Sequence, residues 1–221
     1  MNWEWTGEEK EIDVARGKDK FTHVKLRRIC YPDRPDLDGG WLERKANLNK
    51  FGKCRVINGA IVSGHAKISG DAVVSDDAWV CGKSLLYGRA NVRNAFLSSC
   101  LMNGNASVSG SVSLFNSIVI GEASVKLDEP FSVPMYNVRL SGNSSVREPK
   151  DLLLVAIGGD MSRSLTFTPR DGAWHFWNPS GPVSERMPHT LYEAIRFVCD
   201  QDARLSEASV AELLSAVQRF K

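Results

Sequence analysis

Four histidines and five cysteines are the side chains of this chain best suited to acid–base, nucleophilic or metal chemistry. His23, His65, His175 and His189 lie far apart, and no carboxylate is spaced to orient any of them as a general base. His65 has the variable position of its local pattern, filled elsewhere by Asp71, Asp77, Lys83 and Arg89, so it reads as a solvated surface residue. Cys30, Cys54, Cys81, Cys100 and Cys199 are odd in number and contain no Cys-x-x-Cys pair. That fits a reducing cytoplasm better than a disulfide framework or a zinc site, and no metal is expected. There is no phosphate-binding glycine loop and no nucleophile elbow. Gly39-Gly40 and Gly158-Gly159 read as turns.

Composition narrows the field further. Apolar residues make up 43% and charged residues 24%, ordinary proportions for a globular protein. The net charge of +2 stays near balance in every region, so no basic stripe marks a nucleic-acid surface. The start of the chain lacks the basic and apolar regions of a signal peptide, and the run Leu152 to Ile157 is too short to cross a bilayer. The expectation is a cytoplasmic protein with no membrane or nucleic-acid partner.

The elements that would position any site are announced by a six-residue beat. From Gly52 to Arg93 the pattern Gly/Asn/Asp-x-Ala-x-Val-x recurs, with Ala60, Ala66, Ala72 and Ala78 in phase and Val62, Ile68, Val74 and Val80 following. Residues two apart share a strand face, so each Ala and its Val point inward, while the small corner residue tolerates φ > 0. Three such sides make a triangular coil of about 18 residues, and stacked coils make a solenoid. After Asn94 the phase slips. Phe96 stands at the Ala position, and the pattern resumes four residues late as Ser98-x-Cys100-x-Met102, as an inserted corner would have it. It runs on to Gly121-x-Ala123-x-Val125, with Asn116-x-Ile118-x-Ile120 one residue short. This predicts roughly four coils. The expected fold is mainly β: a parallel β-helix with an N-terminal β cap and a small C-terminal α+β domain.

The expected divisions are 1–50 for cap strands and entry motif, 51–147 for the repeat with a loop at 127–137, and 148–221 for the α+β domain. Trp41 is expected to plug the open end of the prism. In the last domain, Leu152–Ile157, Ser164–Thr168 and Ala173–Trp177 read as three strands. Capping boxes at Thr190–Glu193 and Ser209–Glu212 open two helices. Trp174-His175-Phe176-Trp177 would put Trp174 and Phe176 on one strand face and His175 with Trp177 on the other.

The repeat resembles the hexapeptide-repeat, left-handed parallel β-helix superfamily over about residues 50–126, and the handedness comes from that resemblance. Gly39-Gly40-Trp41-Leu42-Glu43 followed by Ala46-Asn47-Leu48 is similar to the entry of a group of prophage and bacterial repeat proteins. Two alternatives follow. The first comes from a regular, lightly charged prism with no assembled catalytic group, set in the phage context that the resemblance implies, and the second from the resemblance itself. One is a phage-derived, non-catalytic interaction or scaffold protein acting on a host or defence protein, or on copies of itself as a dimer or trimer. Outward Val73, Trp79 and Leu85 on one stretch of prism, with His175 and Trp177, would form its contact surface. The other is an acyltransferase using acetyl-CoA or another acyl-CoA, with His65 as base and 127–137 as an extended loop of a trimer.

Overall fold

The beat folds as its period dictates. The computed structural model describes residues 2–15, 21–127, 133–136, 138–140, 142–148, 151, 153–157, 160–170 and 173–177. Ala60, Ala66, Ala72 and Ala78, with Val62, Ile68, Val74 and Val80, are all at most 1% exposed. Gly64, Gly70, Gly82 and Gly88 turn the corners at φ of 64–69°. Strands eighteen residues apart stack in parallel, Arg55 on Val73, Ile61 on Trp79 and Lys67 on Leu85. Three sides therefore make one turn, and the chain is a parallel β-solenoid of about 6 turns.

Each side stacks into a face. Trp41, Ile61, Trp79, Phe96 and Ser113 follow one another down an aromatic face. Arg55, Val73, Asn91, Ser107, Ser124 and Ser145 run down a serine face. Lys67, Leu85, Leu101, Ile118 and Arg139 run down an aliphatic face. The inward neighbours on the three faces, from Leu42, Val56 and Ile68 to Met135, Val146 and Leu140, are all buried. Each such side chain contributes roughly 1.5–3 kcal/mol of apolar burial, which no isolated strand of two or three residues could supply.

Six turns replace the four expected from the pattern. The first is built by the entry motif, whose Trp41–Leu42 strand already stacks on Ile61–Val62. The last begins at Val133–Tyr136, a strand that contains Pro134. Val133–Tyr136 stacks on Val112–Phe115, and Ser145–Val146 on Ser124–Val125. Val133–Tyr136 is thus a strand within the expected loop, and the coil there lengthens to twenty-one residues; 128–132 lie outside the described residues.

The slip at Asn94 is also different from the expected insertion. Ala95 and Leu97 are buried while Phe96 points outward, and Ser99 turns the next corner before Cys100 and Met102 point in. Each of these two corners has lost one residue, so Leu85 pairs with Leu101 only sixteen residues on. In a period of six, two residues lost and four gained give the same phase. Asn116, at φ 49°, shortens a third corner, so Ser117 and Val119 point inward rather than Ile118 and Ile120. Corner glycine is replaced at each by Asn or Ser, with Asn among the residues most tolerant of this backbone.

The entry motif is structural. Glu43 accepts the Gly64 N–H at 2.6 Å, and Asn47 donates to the carbonyls of Gly64 and Ala66 at 3.2 and 2.8 Å. A side chain at Gly39 would meet the Ile29 carbonyl oxygen at 1.8 Å. Above the motif lies an antiparallel hairpin of β1 (Glu4–Ala15) and β2 (Phe21–Cys30). β2 pairs with the Trp41–Leu42 strand and so covers its edge. Trp41 is not the plug. Leu42 takes the inward position, and Trp41 lies half-buried outside with the Lys10 ammonium 4.2 Å above its ring. Trp3, Ile29 and Tyr31 join the core at this end instead.

Past the solenoid, Leu153–Ile157, Asp160–Arg170 and Ala173–Trp177 form an antiparallel three-stranded sheet. The helices expected from Thr190 and Ser209 lie outside the described residues.

Candidate functional site

Residues six apart lie on successive sides of a coil, so Val73, Trp79 and Leu85 all point outward but on three different faces. They form no common patch. The true neighbours of each lie one coil away, sixteen to eighteen residues along the chain. On the aromatic face this joins Trp79 to three rings, Phe96, Phe115 and Tyr136, that the hexad pattern did not place beside it. Trp79 meets Phe96 edge-on at 5.4 Å, Phe96 meets Phe115 at 5.5 Å, and Phe115 stacks on Tyr136 at 4.8 Å with 12° between planes. Counting by coil rather than by hexad would have found them. On the aliphatic face, Leu85 is 43% exposed and Tyr87 38%, with Leu101 and Ile118 half-buried below. Phe51, 84% exposed, stands at the same side and lines a shallow groove with Leu85 and Tyr87. His175 and Trp177 belong to the Ala173–Trp177 strand, paired with Thr168 and Thr166; their side chains lie outside the described residues.

His65 stands in an open cleft of about 990 Å³ between the solenoid and the distal half of the hairpin. One wall is the corner after the aromatic face, with Arg44, His65, Lys83, Ser99 and Asn116 on successive coils. The other is Val14, Thr22 and Val24. The hairpin is amphipathic because its strands pair in register. Ile12 opposes Val24 and Val14 opposes Thr22 on one side. The other side carries the ion pairs of Glu9 with Lys25 and Arg27, and of Asp13 with His23.

The chemistry of the cleft is set by its hydrogen bonds. His65 Nδ1 lies 3.4 Å from Arg44 Nη1. A guanidinium only donates, so Nδ1 accepts and the neutral ring carries its proton on Nε2. A general base of the usual kind needs the reverse: a carboxylate on Nδ1–H and a free lone pair on Nε2. Glu43, the carboxylate beside it, is already engaged by the Gly64 N–H and by Arg44. Cys81 borders the same cleft, and burial raises its thiol above the ordinary cysteine range, which lowers its thiolate content near neutrality.

Among the described residues, no group of three His, Cys, Asp or Glu side chains gathers as metal ligands would, and no helix is long and apolar enough to span a membrane. Comparison with protein-family models gives no match, and a search of curated proteins gives none either.

Proposed function

We propose that this protein is a non-catalytic interaction module, a scaffold that presents faces of its solenoid to a protein partner or to further copies of itself. The observation that carries the reading is the unbroken ring ladder Trp79–Phe96–Phe115–Tyr136 on one face, matched by exposed Leu85 and Tyr87 on another. Rows of apolar side chains that the solenoid core does not use are the usual mark of a contact surface. The reading keeps the left-handed hexapeptide-repeat solenoid as its frame and a phage-derived origin as its setting, with a host or defence protein as the partner outside the chain.

The competing reading is an acyl-CoA-dependent transferase with His65 as base. It is the weaker one because Arg44 on Nδ1 leaves His65 without an acceptor at Nε2. The deciding experiment is native mass spectrometry over a roughly hundredfold concentration range with Leu85→Lys and Tyr136→Lys as variants. A dimer or trimer that either substitution dissociates supports the reading. A monomer throughout, carrying a bound acyl-CoA, would sink it.

A further inference from the structure

Phe51 is 84% exposed, against 43% or less for Leu85, Tyr87 and Tyr136, and a fixed turn holds it there. The Asn49 side-chain oxygen accepts the Phe51 N–H at 2.9 Å. The turn is tied to the second coil on both sides, by Asn49 N–H to the Ile68 carbonyl and by Lys53 N–H to the Gly70 carbonyl, each at 2.9 Å. The ring therefore stands clear of the aliphatic face, at the rim of a shallow groove of about 640 Å³ that Leu85 and Tyr87 also line.

The charge around this ring is one-sided. Lys45, Lys50 and Lys67 line the groove, all exposed, and no carboxylate does. Lys25, Arg27, Arg28, Arg34, Arg44 and Arg93 each reach a carboxylate elsewhere, whereas among the described residues these three lysines reach none. Lys50 lies 5.8 Å from the centre of the Trp3 ring, a contact that leaves its charge uncancelled. The acids nearest in sequence do not intervene. Glu43 accepts from Arg44 and from the Gly64 N–H, and Asp71 lies past the Gly70 corner.

Three classes of partner carry negative charge. A protein carboxylate is matched best by a guanidinium fork in fixed geometry, and the groove offers only lysines, single point charges on flexible stems. A nucleic-acid strand needs a track of cations along its backbone. Here the row ends at Lys67, with Leu85, Leu101 and Ile118 below it on the same face. An anionic bilayer has mobile headgroups that point charges suit, and an acyl boundary that a projecting ring can enter. This last partner uses Phe51 and the lysines together.

We infer that the Phe51 turn, flanked by Lys45, Lys50 and Lys67, docks the protein on the surface of an anionic lipid bilayer, with the ring in the acyl boundary and the ammonium groups among the headgroups. This goes beyond the protein-contact reading, whose ring ladder lies on another face.

The test is co-sedimentation of the full chain with phosphatidylcholine vesicles containing about one-third phosphatidylglycerol, against vesicles of phosphatidylcholine alone. Half-binding below about 1 mM lipid is expected on the anionic vesicles, with little pelleting on the neutral ones and loss in raised salt. Lys45→Gln, Lys50→Gln and Lys67→Gln together should weaken binding about a hundredfold, since each charge is worth about fivefold. Phe51→Ser should weaken it about tenfold with the charges intact. All four side chains are exposed, and circular dichroism checks that the variants fold. No pelleting with the anionic vesicles, or equal pelleting of the triple variant, overturns the assignment. So does unchanged binding of Phe51→Ser, which would mean adsorption by charge alone. A native mass spectrum that Phe51→Ser alters without lipid would make the patch a protein contact and also overturn it. The ring ladder is tested separately by Tyr136→Lys, so either reading can fall while the other stands.

Discussion

The Tyr31 hydroxyl accepts the backbone N–H of Val56 at 2.7 Å and donates to the Val56 carbonyl at 3.2 Å. Val56 lies on the first coil of the serine face; its carbonyl also accepts the Gly40 N–H at 2.8 Å, but its own N–H has no strand above to pair with. One side chain from the cap therefore pairs a buried backbone N–H that would otherwise be left without an acceptor. Burial pushes the phenol well above its ordinary range, so it keeps the proton it donates. Tyr31→Phe keeps the packing but orphans the Val56 N–H, and should cost about 1–3 kcal/mol in urea denaturation. A loss below about 0.5 kcal/mol would mean that water reaches this edge.

Two glycines with the same backbone sign should respond very differently to alanine. Gly110 sits at φ +88°, and a Cβ there would lie 2.0 Å from the Leu127 carbonyl oxygen on the next coil. Gly7 sits at φ +92° with nothing within 4 Å. Gly7→Ala should cost only the left-handed backbone penalty of about 1–2 kcal/mol. Gly110→Ala must in addition move backbone against backbone, and should cost clearly more or prevent folding. Equal midpoints for the two variants would show that neighbouring coils yield more easily than their spacing implies.

Alkaline stability should depend on Cys100. Its thiol is buried, which raises it to about 11 from the ordinary 9.0. The unfolded chain releases this proton near pH 9 while the folded chain holds it, so the unfolded state binds fewer protons and stability falls as pH rises from 9 towards 11. Cys100→Ala should flatten that part of the profile of thermal midpoint against pH. An unchanged slope would assign the alkaline loss to other groups, Tyr31 first among them. In the native state at pH 8, Cys100 should also resist maleimide until denaturant is added.

The alternation of Ala and Val made the solenoid legible, because only the inward positions constrain residue type. What was hidden follows from the same geometry. The sequence shows phase only modulo six, so two corners each shortened by one residue look like one insertion of four. Patches on a solenoid form between coils, so Trp79 belongs with Phe96 rather than with Val73 or Leu85, and a six-residue count separates them. Trp41 looked like a plug because it is the largest residue at the entry, but strand alternation gives the interior to Leu42. The cleft beside His65 had no local signal. Its second wall, Val14, Thr22 and Val24, precedes the first coil and reaches the corner only through pairing of β2 with Trp41–Leu42.

The remaining prediction concerns His65 itself. The residue is exposed, its Nδ1 faces the Arg44 guanidinium, and no carboxylate oxygen of Glu43 is free to turn the ring over. His65→Ala should leave stability within about 0.5 kcal/mol of the parent, as surface substitutions do. Calorimetry with acetyl-CoA up to about 1 mM should give no saturable heat with either protein. Micromolar binding that His65→Ala abolishes would reverse this. It would mean that a ligand draws Arg44 away from Nδ1, frees Nε2 to accept a proton, and restores the transferase reading.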